Sequence, residues 1–173
     1  MLGLSGAQDL DARARSVRAL VLDVDGVLTD GRLYYMEDGS EAKVMHTRDG
    51  LGLQLVRAAG LGVALISGRA SPIIERRAAE LGIEVVLQGI KDKVAAFEEV
   101  LAKLGLTDDL VAYIGDDLPD LPLLSRAGLS FAPADAAPEV RGAVAVVLRS
   151  NGGQGAVREA CERLLKARGA WAV

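Results

Sequence analysis

The stretch Val17-Arg-Ala-Leu-Val-Leu-Asp23-Val-Asp25-Gly26-Val-Leu-Thr29-Asp30 decides the fold, because an apolar run passes directly into two carboxylates. Residues 17–22 are typical of a buried strand. Side chains alternate along an extended chain, so Asp23 and Asp25 should point to one spot, and Gly26 lets the backbone turn sharply after them. One carboxylate of such a pair can attack or bind a metal while the other handles protons. The alternative interpretation is that both acids merely end the strand.

Short apolar runs alternate with helical patterns along the rest of the chain. The predicted strands are residues 17–22, 63–66, 85–87, 111–114, 129–131 and 144–148. The predicted helices are residues 50–59, 72–81, 92–104 and 120–127, each with a glycine at or near its end. The strands lack two-residue alternation, as expected when helices cover both faces of a parallel sheet. This order predicts an α/β fold with a doubly wound parallel sheet, whose ligands bind beyond the carboxyl ends of the strands.

Polar groups follow several of these strands. Ser67-Gly68-Arg69 ends the second, Gly115-Asp116-Asp117-Leu-Pro-Asp120 ends the fourth, and Lys93 opens the helix between the third and the fourth. A hydroxyl and a glycine amide can hold phosphate oxygens, and an ammonium can neutralise both phosphate and an attacking carboxylate. Asp23 and Asp116 supply the oxygen ligands that suit Mg²⁺. Each piece alone is common as a turn, a cap or a solvated side chain, but together they indicate a phosphoryl-transfer site.

The composition limits the other classes of function. The 173 residues, half of them hydrophobic, fit one domain over residues 1–173, with a candidate hairpin at about 32–46 and a C-terminal helix and tail at about 152–173. The net charge of −4, without a dense Lys and Arg cluster, argues against a nucleic-acid partner. No apolar run is long enough to cross a membrane.

The single cysteine and the two chain ends lead to further expectations. Cys161 is the only cysteine, so an intrachain disulfide is impossible, and we expect it to pack inside the C-terminal helix. A cytoplasmic location fits this composition. The residues before Asp9 and the tail 169–173 are expected to be loosely held ends.

The four polar segments resemble the motifs of the haloacid-dehalogenase-like phosphatases, and the resemblance covers residues 17 to about 168. It implies that Asp23 attacks phosphorus to form an aspartyl-phosphate, and that Asp25 protonates the leaving alkoxide and then activates water. It also implies Mg²⁺ on the Asp23 carboxylate, the Asp25 main-chain carbonyl and Asp116. Further acids near the metal would be Asp117 and Asp120, and the phosphoryl group would be bound by Ser67, Gly68 and Lys93.

The chain leaves no room for a separate cap domain of the kind that many of these enzymes insert. Only 44 positions separate Asp23 from Ser67, and 26 separate Ser67 from Lys93. The site would therefore be open unless the hairpin, turning at Glu37-Asp38-Gly39-Ser40, or residues 150–158 cover it. Apolar residues of the hairpin are hard for a monomer to bury, which indicates association with other subunits.

Several segments resemble one capless branch, the phosphatases of 3-deoxy-D-manno-octulosonate 8-phosphate: Asp-Val-Asp-Gly-Val-Leu-Thr-Asp-Gly, Arg48-Asp49-Gly50-Leu-Gly52, Ile-Ser-Gly-Arg69 and residues 152–159. This resemblance implies a homotetramer whose hairpins meet centrally and a sugar acid phosphate as substrate. Arg69 can pair with the sugar carboxylate. Thr29, Arg48 and Arg158 are further candidates for substrate contacts, although both arginines can instead form structural ion pairs.

Three alternatives stay open at this point. The same chemistry can act on a nine-carbon sugar acid phosphate or another small phosphate ester. A protein that kept the fold and lost catalysis would only bind. A signalling receiver domain is disfavoured, since its phosphoacceptor follows the third strand, which here ends in Leu87-Gln88-Gly89 without an acid.

Overall fold

The structure is a computed structural model that describes residues 3–171, with side chains from residue 8 onward. Its helices are α1 (Gly3–Ser16), α2 (Thr47–Ala58), α3 (Pro72–Leu81), α4 (Lys93–Leu104), α5 (Leu121–Arg126), α6 (Pro138–Ala143) and α7 (Ala156–Ala167). Its strands are β1 (Ala19–Leu22), β2 (Tyr34–Tyr35), β3 (Glu41–Ala42), β4 (Gly62–Ile66), β5 (Val85–Leu87), β6 (Val111–Ile114), β7 (Leu129–Ala132) and β8 (Val146–Val147). Short 3₁₀ turns lie at Asp108–Leu110 and Leu118–Asp120.

Six of these strands form one parallel sheet within residues 3–171, in the order β5-β4-β1-β6-β7-β8. The chain first runs outward from β1 through β4 to β5, and then returns to the other side of β1 with β6. The order therefore reverses between β1 and β6. Ligands of open α/β sheets bind at such a reversal, beyond the carboxyl ends of the strands.

The two faces of the sheet carry separate hydrophobic cores. Along β1, Leu20 and Leu22 point into the core packed by helices α1, α2, α3 and α7, whereas Ala19 and Val21 point into the core packed by α4, α5 and α6. This alternation follows from the two-residue period of a strand, and both sets are apolar because both faces are buried. The predicted doubly wound α/β fold is confirmed.

The predicted elements agree with the structure to within a few residues, except at three places. Residues 3–16 form helix α1, which was not predicted, and the loosely held end expected before Asp9 stays a prediction. Helix α6 was not predicted, because it begins at the end of the segment 133–138, whose two prolines are typical of a loop. At the other end, Trp171 stacks on Arg158 and Lys166, and only residues 172 and 173 of the predicted tail lie outside the described residues.

The predicted hairpin is present, but its strands β2 and β3 are only two residues long. Gly39 takes a positive φ of +82° at the tip, as a tight Asp-Gly turn requires. Cys161 is buried in α7 as expected. None of the helices within residues 3–171 is long and apolar enough to span a membrane.

Candidate active site

The acids singled out in the sequence meet where the sheet order reverses. Asp23 follows β1 and Asp116 follows β6, two neighbouring parallel strands. Together with Asp120, each contributes a carboxylate oxygen to a group whose members lie within 4.8 Å of one another. These side chains line an open cleft of about 400 Å³ that also contains Asp25.

Burial and mutual repulsion perturb this acidic group. Burial raises the pKa of Asp23 to about 6, with Asp120 adding repulsion and Lys93 opposing both effects. Burial also raises the pKa of Asp116 to about 8, and the neighbouring Asp23 and Asp120 carboxylates raise it further. Carboxylates packed this closely resist simultaneous ionisation, so the group favours either a proton or a cation.

The residues present fit a divalent cation. Asp116 Oδ1 is buried and, within the described part of the chain, accepts no hydrogen bond, which leaves its lone pairs available to a cation. The donors are hard carboxylate oxygens, the ligands that Mg²⁺ prefers. Carboxylates that repel one another without an ion are stabilised when one binds. The predicted Mg²⁺ cofactor therefore has a matching set of oxygen donors in Asp23 and Asp116.

Gly26 is required for this arrangement on two counts. Its φ of +89° belongs to the left-handed region that favours glycine. A Cβ atom placed on it would lie 2.0 Å from Asp116 Oδ2, closer than any real contact. Any side chain at residue 26 would thus displace the Asp116 carboxylate.

Lys93 lies between two acids at the start of α4. Its Nζ is 3.2 Å from Asp23 Oδ1 and 2.6 Å from Asp120 Oδ1. Burial alone would lower the pKa of Lys93, but the attraction of these two carboxylates outweighs it and raises the pKa. The ammonium is therefore charged and fixed beside Asp23, as the sequence predicted.

Asp120 holds Lys93 in this position and is itself fully buried. Besides Lys93, it accepts hydrogen bonds from Tyr113 Oη at 2.7 Å and from the backbone N–H groups of Asp116 and Asp117 at 3.2 and 3.4 Å. Burial raises the pKa of Tyr113, so its hydroxyl stays protonated and donates. Tyr113 was missed because a tyrosine inside an apolar strand resembles ordinary core.

Asp117 lies on the same cleft beside Asp116, and its predicted role as a further acid near the metal stays a prediction. Its Oδ1 accepts a hydrogen bond from Leu118 N at 2.8 Å and caps the 3₁₀ turn Leu118–Asp120. The side chain lines the cleft but is not a member of the acidic group. Its role in this structure is to begin the turn that places Asp120.

Ser67 and Gly68 lie at the end of β4 and line the same cleft, as predicted. The buried Ser67 donates its backbone N–H to Leu87 O and accepts Ile90 N at its own carbonyl, which ties the β4 end to the β5 end. Its Oγ accepts a hydrogen bond from Arg69 N at 3.2 Å. The hydroxyl thus stands within the cleft with its own proton free to donate.

Asp25 is contacted by Lys43, which was not predicted from the sequence, and lies near Arg69, which was. Lys43, which follows β3, forms an ion pair with Asp25 Oδ1. Arg69 Nε lies 3.9 Å from Asp25 Oδ2, and Arg69 Nη2 donates to Glu41 Oε1 at 3.0 Å. Lys43 and Glu41 could not be found from the sequence, because only the folded hairpin brings β3 over the carboxyl end of β1.

The expectation that Thr29 contacts substrate needs correction. Its buried Oγ1 accepts hydrogen bonds from Gly26 N at 3.3 Å and Gly31 N at 3.2 Å, and the side chain does not line the cleft. Thr29 closes the loop after β1 instead. Because the hydroxyl points back into its own loop, it shapes the site without facing it.

Arg48 and Arg158 are also displaced from the cleft within the single chain. Both line a separate groove with Arg149 and Glu159. Arg158 pairs with Glu162 at 2.9 Å and stacks on Trp171, so of the two roles left open the structural ion pair is the one observed for it. Neither arginine lines the cleft that contains Asp23.

Comparison with known proteins gives a consistent result. A family model described as haloacid dehalogenase-like hydrolase matches residues 83–160. The chain is 45% identical over 161 residues to the 3-deoxy-D-manno-octulosonate 8-phosphate phosphatase KdsC of Escherichia coli K12, a match that covers 93% of this chain and 86% of that protein.

Solved structures agree with this match. The 3-deoxy-D-manno-octulosonate 8-phosphate phosphatase of Yersinia pestis has a TM-score of 0.92 at 43% identity, covering 94% of this chain and 88% of that one. The Moraxella catarrhalis enzyme of the same name, crystallised with magnesium, phosphate and a KDO molecule, has a TM-score of 0.91 at 40% identity, covering 94% of this chain and 93% of that one. With the fold, the acidic group and these relatives in agreement, the chain belongs to the KdsC family of 3-deoxy-D-manno-octulosonate 8-phosphate phosphatases, among the haloacid dehalogenase-like hydrolases.

Proposed function

We propose that this protein is a Mg²⁺-dependent phosphatase that hydrolyses 3-deoxy-D-manno-octulosonate 8-phosphate to the free sugar acid and phosphate. The observation that carries the proposal is the cleft itself, where the end of β1 brings Asp23 and Asp25 together with Lys93 and Ser67 from other elements. The similar proteins of Escherichia coli and Yersinia pestis carry this activity in their names.

The first half of the reaction uses Asp23 as nucleophile and Asp25 as acid. A carboxylate oxygen of Asp23 attacks phosphorus, the bond from phosphorus to the ester oxygen breaks, and its electron pair passes to that oxygen. The departing oxygen takes a proton from the Asp25 carboxyl. The products of this half are an aspartyl-phosphate on Asp23 and the free sugar acid.

The second half returns the site to its starting state. The Asp25 carboxylate takes a proton from water as the water oxygen attacks phosphorus, and the bond from phosphorus to the Asp23 oxygen breaks. Inorganic phosphate leaves, and Asp25 again holds the proton that it donated. Two neighbouring carboxylates can divide these tasks because their surroundings differ: Lys93 contacts Asp23, and Lys43 contacts Asp25.

Charge neutralisation makes the attack possible, because a phosphate dianion repels a carboxylate. Lys93 would meet the phosphoryl oxygens while it stays 3.2 Å from Asp23, and Ser67 with the Gly68 amide would donate hydrogen bonds to them. The Asp23 and Asp116 carboxylates and the Asp25 main-chain carbonyl would hold Mg²⁺. When bound, the metal supplies positive charge to the phosphoryl oxygens and to the attacking carboxylate.

Arg69 is the candidate for binding the carboxylate of the sugar acid. The Arg69 side chain is 40% exposed at the rim of the cleft, and its Nη2 donates to Glu41 Oε1 at 3.0 Å. A planar guanidinium can pair with a carboxylate through two parallel hydrogen bonds. Eight-carbon and nine-carbon sugar acids both offer that carboxylate, so Arg69 alone does not separate them.

We also propose a homotetramer built on the hairpin. Several of its apolar side chains are exposed in the single chain: Leu33, Tyr35, Met36 and Val44. A patch of this kind on a short, weakly paired hairpin is typical of a subunit interface. Partner subunits would then cover a cleft that no cap domain closes. A cytoplasmic location, predicted from composition, completes the proposal.

The test is phosphate release with Mg²⁺ from 3-deoxy-D-manno-octulosonate 8-phosphate, nine-carbon sugar acid phosphates and hexose phosphates. We expect a preference of about 10²-fold or more in kcat/KM for the eight-carbon substrate. Asp23→Asn should lower kcat by at least about 10³-fold, because the variant lacks the nucleophile. The chain should still fold, because the substitution also removes a carboxylate that neighbouring carboxylates repel. Faster turnover of a nine-carbon ester would reassign the substrate, and no turnover of any ester would favour a binding protein.

A further inference from the structure

The hairpin places the buried ammonium of Lys43 in contact with the Asp25 carboxyl. The side chain of Lys43 is only 2% exposed, although lysine is almost never fully buried without a partner. Its ammonium contacts Asp25 Oδ1 and lies 3.5 Å from Glu41 Oε1. Two carboxylates thus compensate a charge that would otherwise be costly to remove from water.

Three side chains surround the Asp25 carboxyl and come from two separate parts of the chain. Lys43 and Glu41 belong to the hairpin, and Arg69 follows β4. Glu41 Oε1 is shared, since it accepts from Arg69 Nη2 at 3.0 Å and lies near Lys43. The hairpin is therefore attached to the cleft through charged groups, while its Leu33, Met36 and Val44 are exposed in the single chain.

The two oxygens of Asp25 are not equivalent in this arrangement. Oδ1 is occupied by Lys43, whereas Oδ2 accepts no hydrogen bond from any described residue. Arg69 Nε, which lies 3.9 Å from Oδ2, also lacks a hydrogen-bond partner among the described residues. The carboxyl is thus fixed through Oδ1, while Oδ2, buried in the single chain, has no hydrogen-bond partner among the described residues.

We propose that Lys43 is a positioning residue for the proton transfers of Asp25. By holding Oδ1, it stops rotation of the carboxyl and reserves Oδ2 as the oxygen that gives its proton to the departing ester oxygen and later takes one from water. Proton transfer requires heavy atoms within hydrogen-bond reach, so a carboxyl that can turn away loses rate. The inference rests on the proposed function.

If Lys43 only anchored the hairpin, its substitution would lower kcat/KM by the same factor for all substrates. A positioning role predicts a loss that depends on the leaving group. An activated leaving group such as p-nitrophenolate departs without a proton, whereas benzyl alkoxide needs one. p-Nitrophenyl, phenyl and benzyl phosphates are similar in size and lack the sugar acid, so they separate proton transfer from sugar recognition.

The experiment compares kcat/KM of wild type and Lys43→Met on these three esters with Mg²⁺. The variant keeps the length of the side chain and removes the ammonium. We expect a loss within about threefold for p-nitrophenyl phosphate and of about tenfold or more for benzyl phosphate, because a general acid contributes about 10²–10⁴-fold. Lys43→Gln, which keeps a shorter hydrogen-bond donor, is the second variant and should show the same trend if Lys43→Met fails to fold.

The matched control is Arg32→Met, which removes a cation from the same segment. The Arg32 side chain is 77% exposed and pairs with Asp30 at 3.6 Å without touching Asp25, so all three esters should react as with wild type. In an Asp25→Asn background, adding Lys43→Met should cost less than about threefold with phenyl phosphate, because residues that act through one another are not additive.

The outcomes separate the two proposals. If wild type hydrolyses none of the esters and not the sugar acid phosphate, the proposed function fails before Lys43 is considered. If wild type is active and folded Lys43 variants lose the same factor on all three esters, or lose none, the positioning role is overturned while the phosphatase assignment stands.

Discussion

At the scale of single residues, the pKa values of Asp23 and Asp116 tie stability to pH. Both acids have an ordinary pKa of 3.8, raised by burial and repulsion to about 6 and about 8. A raised pKa means that the folded protein prefers the protonated acid. This contribution to stability is complete below pH 3.8 and is lost as the pH rises through 6 and 8.

We therefore expect the metal-free protein to lose thermal stability from pH 5 to pH 9, relative to an Asp116→Asn variant whose amide does not ionise. Mg²⁺ should stabilise wild type more at pH 9 than at pH 5, since the ion replaces a proton. Melting temperatures with EDTA and with Mg²⁺ measure both effects. A Mg²⁺ effect of equal size at both pH values, or one retained in Asp116→Asn, would contradict the assignment of the metal site.

A second residue-scale prediction concerns the glycines that the C-terminal segment brings to the site. An ideal Cβ atom on Gly152 would lie 1.9 Å from the backbone oxygen of Gly26, in the loop after β1. Gly152→Ala should cost about 1–3 kcal/mol of unfolding free energy by overpacking, and should lower kcat because that loop carries the nucleophile.

The matched control is Gly142→Ala in α6, where nothing lies within 4 Å of the added Cβ. We expect it to be neutral or to stabilise by up to about 1 kcal/mol, the usual gain in a helix. Urea unfolding and turnover of both variants check the pair. Equal unfolding free energies of Gly152→Ala and Gly142→Ala would contradict the prediction, because the segment around Gly152 would then move away from the loop after β1 without cost.

At the scale of elements, the start of α7 depends on a side chain from α2. The residue before α7 is Gly155, which has no side chain to cap the helix. Asp49, buried in the first turn of α2, instead accepts hydrogen bonds from Gly155 N at 3.3 Å and Arg158 N at 2.7 Å. Burial raises the pKa of Asp49, and these two donors oppose the rise.

Asp49→Ala should therefore destabilise the protein by about 1–3 kcal/mol, since it leaves two partly buried N–H groups without an acceptor. Asp49→Asn keeps one acceptor oxygen and should cost less. Asp92→Ala, which removes the local cap of α4 at an exposed position, provides a comparison of about 1 kcal/mol. A loss for Asp49→Ala below that of Asp92→Ala in urea unfolding would contradict the coupling between α2 and α7.

At the scale of the whole molecule, the hairpin has apolar side chains that the single chain does not bury. Tyr35 is 66% exposed and Val44 is 60% exposed. If hairpins of neighbouring subunits meet, Tyr35→Glu and Val44→Glu should convert the tetramer to smaller species at micromolar concentration, because the new charges would be buried against apolar partners.

Light scattering after size-exclusion chromatography measures the mass of the assembly. Val147→Glu changes an exposed apolar residue on the distant edge strand β8 and should leave the tetramer intact. A wild-type monomer, or a tetramer that survives both hairpin variants, would remove the support for this assembly.

Local order in the chain determined most of the fold. The apolar runs of β1, β4, β5 and β6 are continuous and end in glycine or polar residues, so their pattern alone placed Asp23, Ser67 and Asp116 at one edge of a parallel sheet. The hairpin turn also follows from a local Asp-Gly signal. Helix α6 was not predicted because the two prolines of segment 133–138 are typical of a loop, and α1 was not predicted because its residues lack a strong apolar face.

The sequence by itself determined the α/β class and the residues expected to carry the chemistry, because strand ends and helix starts are encoded by neighbouring residues. Only the tertiary structure decided which charged groups pair. Lys43 and Glu41 reach Asp25, Tyr113 donates to Asp120, Asp49 holds α7, and Thr29, Arg48 and Arg158 turn away from the cleft. These contacts join residues distant in sequence or depend on side-chain direction, and neither leaves a periodic pattern along the chain.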